Sequence, residues 1–303
     1  MTPRELAIVR SVVYAALFDY PLTLAEVHRT LVACDASVAD VLATYTRSPA
    51  LRELVEHRDG FFFPAGRGDL IAERRRREAR SRVFLDRHRR LLAMICRLPF
   101  VRMVALSGSI AHLNLEEGGD LDLFIVTRGH HVWTVTLTIL VLTRLLRCRR
   151  EVCANFVVSD SALAFEQPDL FTANQIIHLK PLVGGDAMAE LLTANPFVAR
   201  YYPNAFAEPG TGGPASGTRN SGFQFRMLER LCRHLYTWHL RRKARGWRSP
   251  EQVRLGADCL KLHTRSHRRS ITERFEAAVS QALEHLAPAG DAAVAVGGRR
   301  ARR

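Results

Sequence analysis

The residues of this chain best spaced for chemistry are a serine-glycine bend and two carboxylates. They lie in Leu106-Ser107-Gly108-Ser109, followed after ten residues by Asp120-Leu121-Asp122-Leu123. The apolar run Val101–Leu106 predicts a strand that turns at Gly108-Ser109. A glycine there lets backbone N–H groups approach a phosphate, and the serines can donate hydroxyl hydrogen bonds to it. The next strand opens with carboxylates at i and i+2. Residues two apart in a strand share a face, so Asp120 and Asp122 are expected to project together, about 6–7 Å apart at the backbone. Carboxylates that close repel each other unless a cation sits between them. Hard oxygen ligands suit Mg²⁺, so the segment is expected to form a phosphate cradle facing a divalent-metal site.

This pattern resembles the nucleotidyltransferase superfamily typified by DNA polymerase β, whose motif is Gly-Ser, a spacer, then Asp-h-Asp-h. The apolar approach Met103–Leu106, the exit Phe124–Val126 and Ala111 two positions after the serine match it as well. Small members usually follow that alanine with Arg-Gly, whereas His112-Leu113 stand here. The resemblance implies two Mg²⁺ ions and transfer of a nucleoside monophosphate from ATP or another NTP to a hydroxyl, with pyrophosphate released. Asp120 and Asp122 would hold metal, Ser107, Gly108 and Ser109 the phosphates, and Lys180 would lie near the nucleotide. The family takes a third carboxylate from a neighbouring strand, expected at Glu151–Val158. Glu151, Cys153, Asn155 and Val157 are expected on one face of it, with Asn155 as an amide in the acid's place. Glu151 or Asp169 is the alternative, and Asp160 falls beyond the strand end. A competing reading is a weakened site that binds nucleotide or nucleic acid in a regulatory role. The acceptor is left open among a small molecule, a protein and RNA.

The elements that must position this site read as an α+β, helix-rich, multidomain chain of 303 residues. Residues 1–66 suggest a winged-helix-like module, in which Thr23…Glu26 and Ser37…Asp40 are capping boxes and Asp59-Gly60 is a hairpin turn. Residues 67–98 read as an Arg-rich connecting helix whose first half is solvated. A small mixed sheet is expected within 99–207, with Val132–Leu146 as a buried helix. A Gly/Pro-rich linker covers 208–222, a helical region 223–287 with a helix starting at Ser249-Pro250, and a basic tail 288–303.

Forty-four Lys+Arg oppose 30 Asp+Glu, a formal net charge of +14, in an otherwise ordinary globular composition with 47% hydrophobic residues. Just three of the basic residues are lysines (Lys180, Lys243 and Lys261). Arg-rich stretches at 74–90, 226–248 and 299–303 favour phosphate-bearing partners, nucleic acid among them. The first module's third helix, however, carries no cation before Arg47, so it is a weak candidate reader. Tyr236 and Trp238 among arginines could stack bases or pack a helix face. His130-His131 suggest a helix cap, and His263/His267 a surface pair. The six cysteines show no zinc spacing and are expected as free, mostly buried thiols. No run approaches the roughly 20 apolar residues of a membrane span, and the N-terminus lacks the order of a signal peptide, so no membrane partner and a cytoplasmic setting are expected.

Overall fold

The computed structural model describes residues 1–206, 223–243, 253–262 and 268–284. The chain is mixed α/β. Its N-terminal elements are α1 (Pro3–Ala16), β1 (Leu22–Thr23), α2 (Leu24–Arg29), α3 (Val38–Arg47), α4 (Pro49–Leu54), β2 (Val55–Arg58) and β3 (Phe61–Pro64). Both expected capping boxes form. Thr23 and Ser37 each accept from the N3 backbone N–H, while Glu26 and Asp40 reach back to the cap. Asp59 (φ 53°) and Gly60 (φ 80°) are both left-handed, as a two-residue hairpin turn requires, and β2 pairs antiparallel with β3.

The connecting helix α5 runs Asp69–Cys96, but its Arg-rich half is not simply solvated. Arg74 makes a two-pronged ion pair with Glu26, at 2.8 Å on each side, and lies 4.0 Å over the Tyr20 ring. Arg77 is 7% exposed, and its guanidinium is tied to Glu73, Asp19 and the Phe18 carbonyl. These arginines spend their charge holding the N-terminal elements against α5, which periodicity alone does not show.

Next come β4 (Val101–Leu106), the single turn α6 (Gly108–Ala111), β5 (Leu121–Thr127), α7 (Val132–Leu145), β6 (Val152–Ser159), α8 (Leu170–Ile177), β7 (Lys180–Val183), α9 (Gly185–Thr193) and α10 (Phe197–Tyr201). A short 3-10 turn, Pro203–Phe206, follows. Beyond residue 222 lie α11 (Phe223–Lys243), β8 (Val253–Leu255), β9 (Cys259–Leu262) and α12 (Arg268–Glu284). The C-terminal region is therefore not wholly helical. β8 and β9 form a hairpin that joins the sheet, giving the six-stranded order β7-β4-β5-β6-β9-β8. Among the described residues only β5 and β6 pair in parallel, joined through α7. The linker 208–222, the Ser249-Pro250 helix start, His263/His267 and the tail 288–303 lie outside the described residues.

Alternation along the strands divides the core into two layers. Val104, Leu106, Leu121, Leu123 and Ile125 face α5 and α7, where Trp133 is fully buried. Met103, Ala105, Phe124 and Val126 face α8, α9 and α10. The first turn of α7 is capped not by His130-His131 but from afar. The Glu229 carboxylate of α11 accepts from Trp133 N at 2.7 Å and Thr134 N at 2.8 Å. His131 instead stacks on Phe100, with ring centroids 3.8 Å apart. All six cysteines are free and half-buried rather than buried. Among the described residues no helix is long and apolar enough to cross a membrane.

Candidate active site

The bend after β4 is fixed by the sheet. Ser107 N donates to the Asp122 carbonyl at 3.0 Å, tying the bend to β5. Gly108 adopts φ +61°, and a Cβ built on it would lie 2.6 Å from Asp122 Oδ2. The Asp122 carboxylate thus fills the space a side chain at 108 would take. Glycine meets both demands, the left-handed backbone and the close approach. Ser109 holds the following turn, its carbonyl accepting from His112 N at 3.2 Å and Asn114 N at 2.9 Å.

Asp120 and Asp122 do converge, and the group that joins them is Cys153. One ligand atom from each of Asp120, Asp122 and Cys153 lies within 4.8 Å of the others, and all three residues are half-buried. The parallel register sets Cys153 directly beside Asp122. A bulge follows, because β5 advances two residues to Phe124 while β6 advances three to Phe156. The expected single face from Glu151 to Val157 is therefore broken. Cys153 sits with the aspartates, whereas Val157 packs in the α5/α7 layer. Sequence reading placed Cys153 on that face but looked past it for an oxygen ligand. The bulge, which decides which residue meets the aspartates, leaves no sequence signal.

Asn155 lies in β6, and its side chain lies outside the described residues. The other acids considered are engaged elsewhere. Glu151 pairs with Arg87 and, at 2.8 Å, with His88. Asp160 accepts from Gly129 N at 2.9 Å and lies 3.6 Å from Arg102. Asp169 caps α8 through Thr172 N at 2.8 Å. Lys180 begins the strand beside the bend, opposite Leu106 in the antiparallel register. Partial burial and the charge of Arg29 lower its pKa.

No protein-family model, no curated protein and no solved structure matches this chain. The functional reading therefore rests on the site's own chemistry.

Burial first, then a hydrogen bond to Asp120, then the charges of both aspartates push the Cys153 thiol up to about 12. With no cation at the site it stays protonated at neutral pH. The donor set divides accordingly. Two carboxylates side by side fit a hard divalent cation, but a thiol is a soft donor that Mg²⁺ does not favour. The residues thus suit one Mg²⁺ on the aspartate pair and do not suit a second held by a third carboxylate.

Around this cluster lies a cavity of about 710 Å³. Besides Ser107–Ser109 and the metal-type residues, its walls include Tyr14, Phe18, Phe171 and two histidines, His112 and His178, that sequence reading left unassigned. Those two rings touch, with centroids 4.0 Å apart, and His178 Nδ1 is 2.8 Å from the Asn174 carbonyl. Burial, and then the charges of Lys180, Arg29 and Arg74, push His112 down to about 3, so it is neutral in the folded chain. His178 is likewise held well below the usual histidine range, chiefly by burial.

Proposed function

We propose that the chain is a nucleotidyltransferase that moves a nucleoside monophosphate from an NTP, ATP or another, to a hydroxyl acceptor. The observation that carries this reading is the fit between the bend and the aspartates, with the Asp122 carboxylate occupying the space over Gly108. That fit sets the glycine bend, which would cradle phosphate, against a pair of hard oxygen ligands. Asp120 and Asp122 would hold one Mg²⁺, which when bound neutralises charge on the polyphosphate. The Ser107 and Ser109 hydroxyls would donate to the outer phosphates, and Lys180, whose charge reaches His112 in the cavity wall, would add a cation near the nucleotide. In the reaction the acceptor oxygen bonds to the α-phosphorus, the bond from that phosphorus to the bridging oxygen breaks, and pyrophosphate leaves with the electron pair. The hydroxyl proton passes to solvent.

One observation favours a second reading, in which nucleotide is bound but turned over slowly or not at all. The place beside the aspartates where a third carboxylate would complete the metal site holds the Cys153 thiol. For the N-terminal elements, the order of helices and hairpin supports a winged-helix-like module. We assign it a packing role, since Arg74 and Arg77 are consumed internally and α3 offers no cation before Arg47.

The deciding experiment is pyrophosphate release from each NTP with Mg²⁺ or Mn²⁺, comparing the native chain with Asp120→Asn. The transferase reading expects release that falls by at least about 100-fold in the variant, the scale of losing a group that stabilises transition-state charge. Nucleotide binding without release supports the second reading. Equal release from both proteins sinks the site assignment.

A further inference from the structure

The cavity that holds the aspartates also constrains what can enter it. Resting on the transferase reading, we propose that the acceptor is a small, uncharged alcohol with an apolar body, and that it binds between the aspartates and the wall formed by α1 and α8.

Charge is the first argument. Among the described residues, the charged ones lining the cavity are Asp120, Asp122 and Glu116, and none is Lys or Arg. His112 adds no charge, because it is neutral. A polynucleotide would bring a phosphate for every residue it threads into this space and would meet carboxylates rather than guanidinium groups. Nucleic-acid affinity depends on neutralising those phosphates. The arginines whose charges reach this wall are already engaged: Arg74 is paired with Glu26, Arg77 with Glu73, and Arg29 donates to the Ile177 carbonyl. Glu116 itself lies 3.5 Å from Arg77 and so does not present an isolated charge to a cationic ligand.

Shape and surface give the second argument. Tyr14, Phe18, Phe156, Phe165 and Phe171 all line the cavity. Such a lining matches a small-molecule site, which is mostly apolar with a few polar groups placed to orient the ligand. The volume of about 710 Å³ has room for the reacting end of a nucleotide and a compact second molecule, but not for a folded protein segment. The wall is also built into the core. Tyr14 lies in one apolar cluster with Ile271 and Phe275 of α12, and Phe171 packs against that cluster. Tyr14 meets Phe275 edge-on, with centroids 5.2 Å apart. Within this wall Asn114 is 5% exposed. Its Nδ2 donates to the Phe18 carbonyl at 2.9 Å, and its Oδ1 has no hydrogen-bond partner among the described residues. A bound hydroxyl or water is the kind of group that closes such an acceptor.

The test uses the full chain and 2-(2-naphthyl)ethanol, a neutral aromatic alcohol whose fluorescence reports burial. Binding is titrated without nucleotide. Transfer is then followed with α-labelled ATP and Mg²⁺ or Mn²⁺, offering the naphthyl alcohol, total RNA or total protein as acceptor. The proposal expects saturable probe binding, label on the alcohol, and none on RNA or protein. Phe18→Glu should weaken probe binding at least tenfold. Phe18 is 38% exposed, so the substitution should fold, and an unchanged melting curve checks this. Phe171→Ala is the second variant. Label entering RNA or protein overturns the proposal and leaves the transferase reading intact, as does failure of the probe to bind while pyrophosphate is still released. Probe binding with no pyrophosphate release from any acceptor overturns the transferase reading, and the acceptor role with it.

Discussion

Replacing Gly108 by alanine tests whether the bend and the aspartates form one unit. Two costs can be separated. The first is backbone strain, since a left-handed φ of +61° costs an L-residue about 1–2 kcal/mol. The second is a collision, because the new Cβ would stand 2.6 Å from Asp122 Oδ2, well inside the 3.4 Å at which ordinary contact begins. Relieving it moves the carboxylate by about 0.8 Å, and a misplacement near 1 Å can cost about 100-fold in rate. Gly66 supplies the control: its φ is +80° and nothing lies within 4 Å of an added Cβ. Both Gly→Ala variants should lose about 1–2 kcal/mol, roughly 2–8 °C in Tm for a domain of this size. Only Gly108→Ala should also weaken Mn²⁺ binding, followed by electron paramagnetic resonance, and reduce pyrophosphate release by about 10–100-fold. If the two variants bind Mn²⁺ equally well, Gly108 does not position Asp122 and the site has been misread.

The remaining predictions address the thiol, the histidine pair and the arginines of α5. Cys153→Asp supplies the missing oxygen donor, so Mg²⁺ should bind more tightly by calorimetry and pyrophosphate release should rise; unchanged Mg²⁺ affinity would show that residue 153 does not share the metal position. His112, pushed down to about 3 in the folded chain, takes up its proton near its ordinary value of 6.5 once unfolded. Its contribution to stability is therefore complete above pH 6.5 and is lost as pH falls from there toward 3. His112→Gln should flatten the denaturant midpoint across that window, and an unchanged pH profile would refute the burial argument. Arg74→Met leaves Glu26 without its partner at a position where the arginine side chain is 11% exposed. Breaking such a pair should cost about 3–5 kcal/mol in chemical denaturation, and a loss under 1 kcal/mol would return α5 to the role of a solvated connector.

Where local chemistry dictates structure, the sequence was readable. Thr23…Glu26 and Ser37…Asp40 satisfy their own helix ends, and Asp59-Gly60 can hardly avoid a tight turn. The i, i+2 spacing of Asp120 and Asp122 brings them together without help from the rest of the chain. What was hidden depended on distant partners. β8 and β9 are strands of three and four residues, and β9 finds its neighbour β6 about a hundred positions upstream. The cap on α7 comes from Glu229, and the fate of Arg74 depends on Glu26. Cys153 was hidden for another reason. Strand alternation is a counting rule, and one extra residue in β6 changes the count without changing composition.

The pairing of β6 with β9 has a consequence for synthesis. As the nascent chain leaves the ribosome, β6 follows soon after β5, but its open edge has no partner until Cys259–Leu262 emerges. For that interval the strand behind the metal-type cluster carries unpaired backbone groups beside an apolar layer, an arrangement that invites pairing between chains. Products cut before residue 259 should aggregate even with every residue of the cluster present, and β9 then acts on the site as its own internal chaperone.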